Sequence, residues 1–444
     1  MAFMIPNGVM DTNKEGSDSM QQTDILPLRQ PLGDGLWLCT PTGSDDVARV
    51  AAFNGRIHDS GIAALTKVLV ESFPTMQTAD LVYVEDERSG AVISSLCLIP
   101  WRLHYGAATL QVGEMGIVGT DEAWRSRGLV RVQVDYFRRR LAAHGCVLSL
   151  IQGIPFYYRQ FGYTYALPLE GGVLVNGRGL PQQVGPAFTF RRAGEADLPL
   201  LAALYDQWIK NLDISAVRDE RTWRYLLGPM QATEAATEWW LIETAGAEGG
   251  LPAGYLRLPH HHFGDELAVY ETSQLSYAAA IATLHQLQAW AAQRSLPGVR
   301  LNLPERTLLV QLARSLGGRD LGRYAWQVAM PDVAAFLTAI APELERRLAA
   351  APQLAEWCGE VPINLYRSGA VLHINRGTIQ VTAAKGTAGG AINFPPDAFT
   401  PVALGWRSLE EVRRLFPDVQ VEGRLRPLFD VLFPPMEGHI YAAV

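Results

Sequence analysis

The sequence predicts an α/β protein of mixed sheets, arranged as three successive α+β units. Three patterns carry that expectation. Short runs rich in β-branched and aromatic residues alternate with runs whose apolar residues recur every three or four positions, so strands and helices share each unit. The order of elements in residues 35–175 returns in residues 187–330, which reads as a duplication of fold with little remaining identity. From Pro331 a helix, a hairpin and further short helices mark a smaller third unit, residues 331–444.

The first 34 residues are polar, lack the basic region and apolar segment of a signal peptide, and are expected to be disordered. In the first unit, GSDDVARVAAFNGRI reads as a helix capped by Ser44 or Asp45. ADLVYVEDERSGAVISSLCLIP reads as two strands around an Asp-Glu-Arg-Ser-Gly turn. ATLQVGEMGIVGT is a third strand, in which Gly113 and Gly116 signal a bulge or a close backbone approach. After the loop TDEAWRSRG, a helix presents Val130, Val134, Phe137 and Leu141 on one buried face, so it begins at Gly128. The strand CVLSLIQG and the segment IPFYYRQFGYTYAL complete the unit.

NGRGLPQQVGP, residues 176–186, is a Gly/Pro-rich linker. Beyond it FTFRRAGEADLPLLAALYDQWI gives a strand and a helix, EWWLIETA, AGYLRLP and ELAVYET give strands, and a helix spans Tyr277–Arg294. GVRLNLP and ERTLLVQLARSLGG add a strand and a helix. In the third unit a helix over Val333–Ala350 precedes a hairpin around the turn NRG. Ser408 and Glu411 form a capping box for a helix with Leu409, Val412, Leu415 and Phe416 on one face.

Composition excludes several classes. A net charge of −7 lacks the basic excess of a nucleic-acid binder. No apolar run reaches the ~18–20 residues of a membrane span. Cys39, Cys97, Cys146 and Cys358 form no CxxC pair and read as reduced, buried thiols of a cytoplasmic protein. His260, His261 and His262, followed by Asp265 and Glu266, read as an incidental surface loop, and no metal site is expected. Arg138, Arg139 and Arg140 read as a solvated helix face, with Asp135 and Arg139 paired. Trp37, Trp239, Trp240, Trp357 and Trp406 read as core or interface anchors.

The loop before the Gly128 helix carries the chemistry. First-turn amides have no partner within a helix and lie at the positive end of its dipole, a ready anion site. Gly128 allows close backbone approach, and Arg125 and Arg127 add forked positive charge suited to phosphate. Strand, basic-glycine loop and helix together suit a pyrophosphate.

Arg125-Ser126-Arg127-Gly128-Leu129-Val130 resembles the acyl-coenzyme A signature Gln/Arg-x-x-Gly-x-Gly/Ala of the GNAT superfamily of N-acetyltransferases, departing from it at Val130. IPFYYRQFGYTYAL resembles that superfamily's closing helix and strand. The INRGTIQV hairpin, LGWRSLEEVRRLFPD and LRPLFDVLFPP resemble a sterol carrier protein type domain. Together the chain resembles the enhanced intracellular survival (Eis) family: tandem GNAT folds, the second degenerate, and a sterol-carrier-like tail.

The resemblance implies an acetyl-coenzyme A-dependent N-acetyltransferase acting on a small polyamine or aminoglycoside-like amine, assembled as a homo-oligomer, with the family's hexamer as the expected form. Val118 and Thr120 would meet the pantetheine. Arg125, Ser126, Arg127, Gly128, Leu129, Val130 and Arg131 would wrap the pyrophosphate, with Gly153 also at the cofactor. Tyr158 would protonate the leaving thiolate, and either the carboxylate of Val444 or Glu114 would act as base. The second unit lacks such a loop, having only SQLS before its helix, and would wall the acceptor cleft. Peptide N-termini or lysines are a narrower alternative for the acceptor. A non-catalytic acyl-coenzyme A or lipid-binding protein is the reading that Val130 favours.

Overall fold

The computed structural model describes residues 28–175, 179–182, 187–246, 250–260 and 264–440. Its first sheet runs β1 (Arg29–Gly33), β2 (Leu36–Cys39), β3 (Leu81–Asp86), β4 (Ala91–Tyr105), β5 (Ala108–Thr120), β6 (Leu148–Ile151), the strand Tyr324–Ala329, and β7 (Thr164–Glu170). β1 to β5 form an antiparallel meander, whereas β5 and β6 are parallel. Two helices, α1 (Ser44–Ile57) and α2 (Ser60–Ser72), lie between β2 and β3, and α3 (Leu129–Ala143) makes the crossover from β5 to β6.

Strand periodicity assigns the two faces. Cys97, Ile99, Trp101 and Leu103 of β4 pack with Val50 and Phe53 of α1 and Leu65 and Leu69 of α2. Leu96 and Leu98, pointing the other way, pack with Val134, Phe137 and Leu141 of α3. Both faces of the central strands are therefore covered. α3 packs tightly over Gly113, where an added Cβ would lie 2.4 Å from Leu141 Cδ2.

The three units interlock. Tyr324–Ala329, in the second sequence block, sits between β6 and β7 and is antiparallel to both. In return Val173–Val175, at the end of the first block, pairs with Val299–Leu301 and Arg319–Asp320. Ile214–Ala216 joins the lower edge of β4 and carries Gly438–His439 beside it. The second unit repeats the antiparallel-to-parallel switch at a broken strand. Leu267–Val269 is parallel to Val299–Leu301, and Glu271–Thr272 is antiparallel to the strand Pro252–Pro259. The third unit is a five-stranded sheet with the helix Val333–Ala349 against it. That helix also grips the β4–β5 turn: Glu343 accepts from the Ala107 amide at 2.9 Å and from Arg346 and Arg347, both at 2.7 Å.

Several expectations need correction. Arg29–Gly33, read as part of a disordered leader, is a strand of the first sheet. The cap of α1 is Gly43, which makes no side-chain bond, rather than Ser44 or Asp45; Asp46 instead accepts from Thr42. Arg140 is buried, its guanidinium 2.8 Å from Asp80, because it shares the stripe of Tyr136 and Phe137. Asp135 pairs with Arg138, not Arg139. Val130 is half-buried rather than buried. Leu415 is 72% exposed, leaving Leu409 and Val412 as the buried face of its helix. Cys358 is exposed, unlike the other three cysteines. No helix among the described residues is long and apolar enough to cross a membrane.

Candidate active site between two splayed strands

β5 pairs with β6 only from Val112 to Glu114, opposite Leu148 to Leu150. Beyond that point the strands part, β6 ending at Ile151 while β5 continues to Thr120. The other edge of β5 bulges where the gap opens. Gly116 pairs with Cys97 and Gly119 with Ser95, so Ile117 and Val118 stand opposite Leu96 alone. Within this bulge Ile117 adopts a left-handed φ of 48°. Backbone groups leave the ladder at the mouth of the cleft.

One turn after β5 the chain reaches the loop. Asp121 caps a 3₁₀ turn, Glu122–Trp124, by accepting from the Ala123 amide. Ser126 and Gly128 then take left-handed φ values of 63° and 77°, and Gly128 is the N-cap of α3. A Cβ added to Gly128 would meet nothing within 4 Å, so its left-handed backbone, not space, calls for glycine. The Leu129 and Val130 amides in the first turn have no intrahelical acceptor. Val130 packs against the apolar cluster beneath α3, and Leu129 belongs to it. The Arg127 guanidinium stacks 4.6 Å over Trp124. Arg131 donates to Gln160 Oε1 at 3.2 Å and lies 5.8 Å from the Phe161 ring, tying α3 to the turn that carries Tyr158. Thr120 Oγ1 lies 2.9 Å from Ser94 Oγ, which holds Gln133 of α3.

Across the gap, residues after β6 lead into a 3₁₀ turn, Tyr157–Phe161. Tyr158 is buried in it, with the Tyr157 ring 5.0 Å away and the Tyr163 ring 6.1 Å away. Gly153 forms the floor of the ring: a Cβ there would lie 2.3 Å from Tyr158 Cδ2. Burial, then the neighbouring Tyr157 and Tyr324 phenols, push the Tyr158 hydroxyl well above the usual tyrosine range. It is a protonated donor at neutral pH.

Glu114 occupies the opposite face. It pairs with Ile99, on the side of α1 and α2, and is 4% exposed. Burial raises its pKa to about 8, opposed by a 3.4 Å hydrogen bond from Gln152 Nε2. Its Oε2 is buried without a hydrogen-bond partner among the described residues, as are the Trp101 indole N–H on the same face and the Tyr225 hydroxyl. Tyr225 comes from the helix Glu220–Leu227 of the second unit; burial and the nearby Cys97 thiol and Glu114 carboxyl raise its phenol. Orphaned buried polar atoms are rare in folded proteins, and this carboxyl oxygen with the Trp101 and Tyr225 groups suits a polar guest.

The expected residues thus gather on two sides of one gap. Val118, Thr120 and Arg125 to Arg131 form one rim, Gly153 and Tyr158 the other, and Glu114 lies on the far face. Val444 is outside the described residues, as are His261 and His262. Among the described residues no group of three or more His, Cys, Asp or Glu could hold a metal ion. Sequence reasoning missed Gln152, Tyr225, Tyr324 and Gln327. The last three come from elements whose partners lie far away in the chain, and only Gln152 left a local signal, at the end of its strand.

No protein-family model matches the sequence, and no curated protein matches it. Solved structures do match its fold. A probable N-acyltransferase of Enterococcus faecalis V583 superposes with a TM-score of 0.69 at 13% identity, covering 92% of this chain and 99% of that one. A GCN5-related N-acetyltransferase of Anabaena variabilis gives 0.65 at 14% identity, covering 91% and 99%. Eis1 of Mycobacterium abscessus gives 0.60 at 14%, covering 92% and 99%. The chain has the fold of the GCN5-related N-acetyltransferases. The matches extend over nearly the whole chain, so the shared fold covers more than the first sheet.

Proposed function

We propose that the protein transfers an acetyl group from acetyl-coenzyme A to a primary amine by direct attack. The observation that weighs most is a buried, proton-hungry carboxyl on one face of a splayed sheet, with a buried phenol across the gap. The loop residues fit the donor's phosphates: two left-handed turns at the head of α3 leave amides free, and Arg125 and Arg127 stand exposed beside them. Val130, whose size departs from the acyl-coenzyme A signature, has its side chain directed into the apolar cluster, which leaves the amide side of the turn clear.

Acetyl-coenzyme A would supply the acetyl carbon and a thiolate leaving group. In its ionised form, which gains population as pH rises toward 8, Glu114 takes the proton of the bound ammonium, and its raised pKa makes that carboxylate a stronger base than an ordinary one. The bulged backbone around Val118 offers an amide to the carbonyl oxygen on which charge develops. Tyr158 gives its proton to the departing sulfur, which a buried phenol can do at neutral pH. Tyr225 and Trp101 close the acceptor side and exclude water.

Thiol release from acetyl-coenzyme A with a panel of polyamines and aminoglycosides tests the proposal. Amine-dependent release that falls in Tyr158→Phe and Arg127→Ala supports it. Tight acetyl-coenzyme A binding with no release for any amine contradicts it.

A further inference from the structure

The strand Tyr324–Ala329 brings two polar side chains to the loop that carries Tyr158. The Tyr324 hydroxyl donates to the Gly153 carbonyl. Gln327, only 1% exposed, donates through Nε2 to the same carbonyl at 2.9 Å and to the Ile154 carbonyl at 3.2 Å. The same Nε2 lies 3.4 Å from the Tyr324 hydroxyl, so the two side chains form one clamp. The clamped residue is the floor of the Tyr158 ring, at 2.3 Å from an imagined Cβ. Gly153 therefore cannot move toward the ring without pushing it, nor away without opening a void beneath it.

Tyr158 needs such support. Its hydroxyl makes no hydrogen bond among the described residues, so only packing fixes its direction. Two sides of the ring are set by Tyr157, in its own turn, and Tyr163, just before β7. The remaining side is Gly153, in a segment that leaves β6 through Pro155 and a strained Phe156 with a φ of 69°. The segment's own bond, from the Tyr157 amide to the Pro155 carbonyl at 2.9 Å, lies beyond Gly153, whose carbonyl is held from outside by Tyr324 and Gln327. The clamp comes from a strand of another sequence block, and Tyr324 at the same time lines a cavity of about 870 Å³ with Tyr165, Glu170 and Trp406 where the three units meet. Its ring already packs on Tyr165 at 5.6 Å, so a phenylalanine there keeps the packing and deletes only the hydroxyl.

We propose that Tyr324 is a positioning residue for the reaction: its hydroxyl, with Gln327, pins the Gly153 carbonyl and so aims the Tyr158 phenol. The inference rests on the acetyl-transfer reading for its kinetic consequence, but the placement itself is measurable without turnover. Misplacing a reacting group by even ~1 Å can cost on the order of a hundredfold in rate.

Tyr324→Phe is expected to lower kcat by about tenfold or more while leaving KM for acetyl-coenzyme A within about twofold. In a Tyr158→Phe background the same change is expected to cost nothing further, since residues that act as one unit do not add. A packing role alone would give multiplied losses, and that result overturns the proposal, as does a Tyr324→Phe enzyme with wild-type kcat. The second measurement uses protein labelled with ¹³C at tyrosine Cζ, the Tyr158 signal being assigned by its loss in Tyr158→Phe. A Tyr158 resonance that shifts or broadens in Tyr324→Phe supports the clamp, and an unchanged one refutes it. If the wild type transfers acetyl to no amine yet the Tyr158 resonance responds, the clamp stands and the transferase reading fails.

Discussion

Replacing Glu114 with glutamine will make the protein more stable and less active, and the gain in stability will depend on pH. The carboxyl's pKa rises from 4.5 to about 8 on burial, so the folded protein keeps a proton that the unfolded chain releases. The folded value is the higher one. The stability this group contributes is therefore complete below pH 4.5, falls as pH rises, and stops falling above about pH 8, where the folded carboxyl also ionises. At ~1.36 kcal/mol per unit, the loss is about 3 kcal/mol at pH 7 and grows by about 2 kcal/mol between pH 6 and pH 8. Glutamine has nearly the same shape and no titration. Urea unfolding followed by tryptophan fluorescence at the three pH values measures the difference. The advantage of Glu114→Gln will widen by about 2 kcal/mol from pH 6 to pH 8. A difference that stays constant with pH, or a variant less stable than the wild type at pH 8, would refute the burial argument.

Other substitutions separate the parts of the site. Glu114→Gln will lower kcat/KM by about a hundredfold or more and abolish the rise of rate with pH toward 8, measured by thiol release across pH. Arg127→Ala will raise KM for acetyl-coenzyme A about tenfold with little change in kcat, since the exposed guanidinium binds donor and transition state alike. Gly128→Ala forces a φ of 77° on a residue with a Cβ, and will cost about 1 kcal/mol in thermal unfolding and weaken acetyl-coenzyme A binding by calorimetry. Arg140→Ala leaves the fully buried Asp80 carboxylate without its guanidinium and will destabilise the protein by about 3–5 kcal/mol, measured by urea unfolding.

The residues differ in how far sequence could reach them. The start of α3 was readable because a left-handed glycine and an apolar stripe beginning beside it are both local signals. Arg140 was misread as solvated from three consecutive arginines, although it lies three and four positions after Phe137 and Tyr136 on the buried stripe. Glu114 was harder. In a strand covered on both sides, alternation does not distinguish a buried position from an exposed one. ELAVYET looks like one strand, yet it divides at Tyr270 between two sheets, because the sheets part there as β5 and β6 do in the first unit. The exchange of Tyr324–Ala329 for Val173–Val175 leaves no local trace, since each segment has an ordinary strand pattern whichever sheet receives it. Tyr324 and Gln327 reach the site only through such long-range pairing, and Tyr225 through packing of a helix from the second unit, so none of them belongs to a local motif.

A crystal structure with acetyl-coenzyme A bound tests the central claim most directly. The pantetheine is expected in the gap between β5 and β6, with the pyrophosphate on the Leu129 and Val130 amides, the thioester oxygen in hydrogen-bond reach of the backbone near Val118, and the sulfur beside the Tyr158 hydroxyl. Density for the pantetheine elsewhere, or a thioester out of reach of both Tyr158 and the face that carries Glu114, contradicts the account.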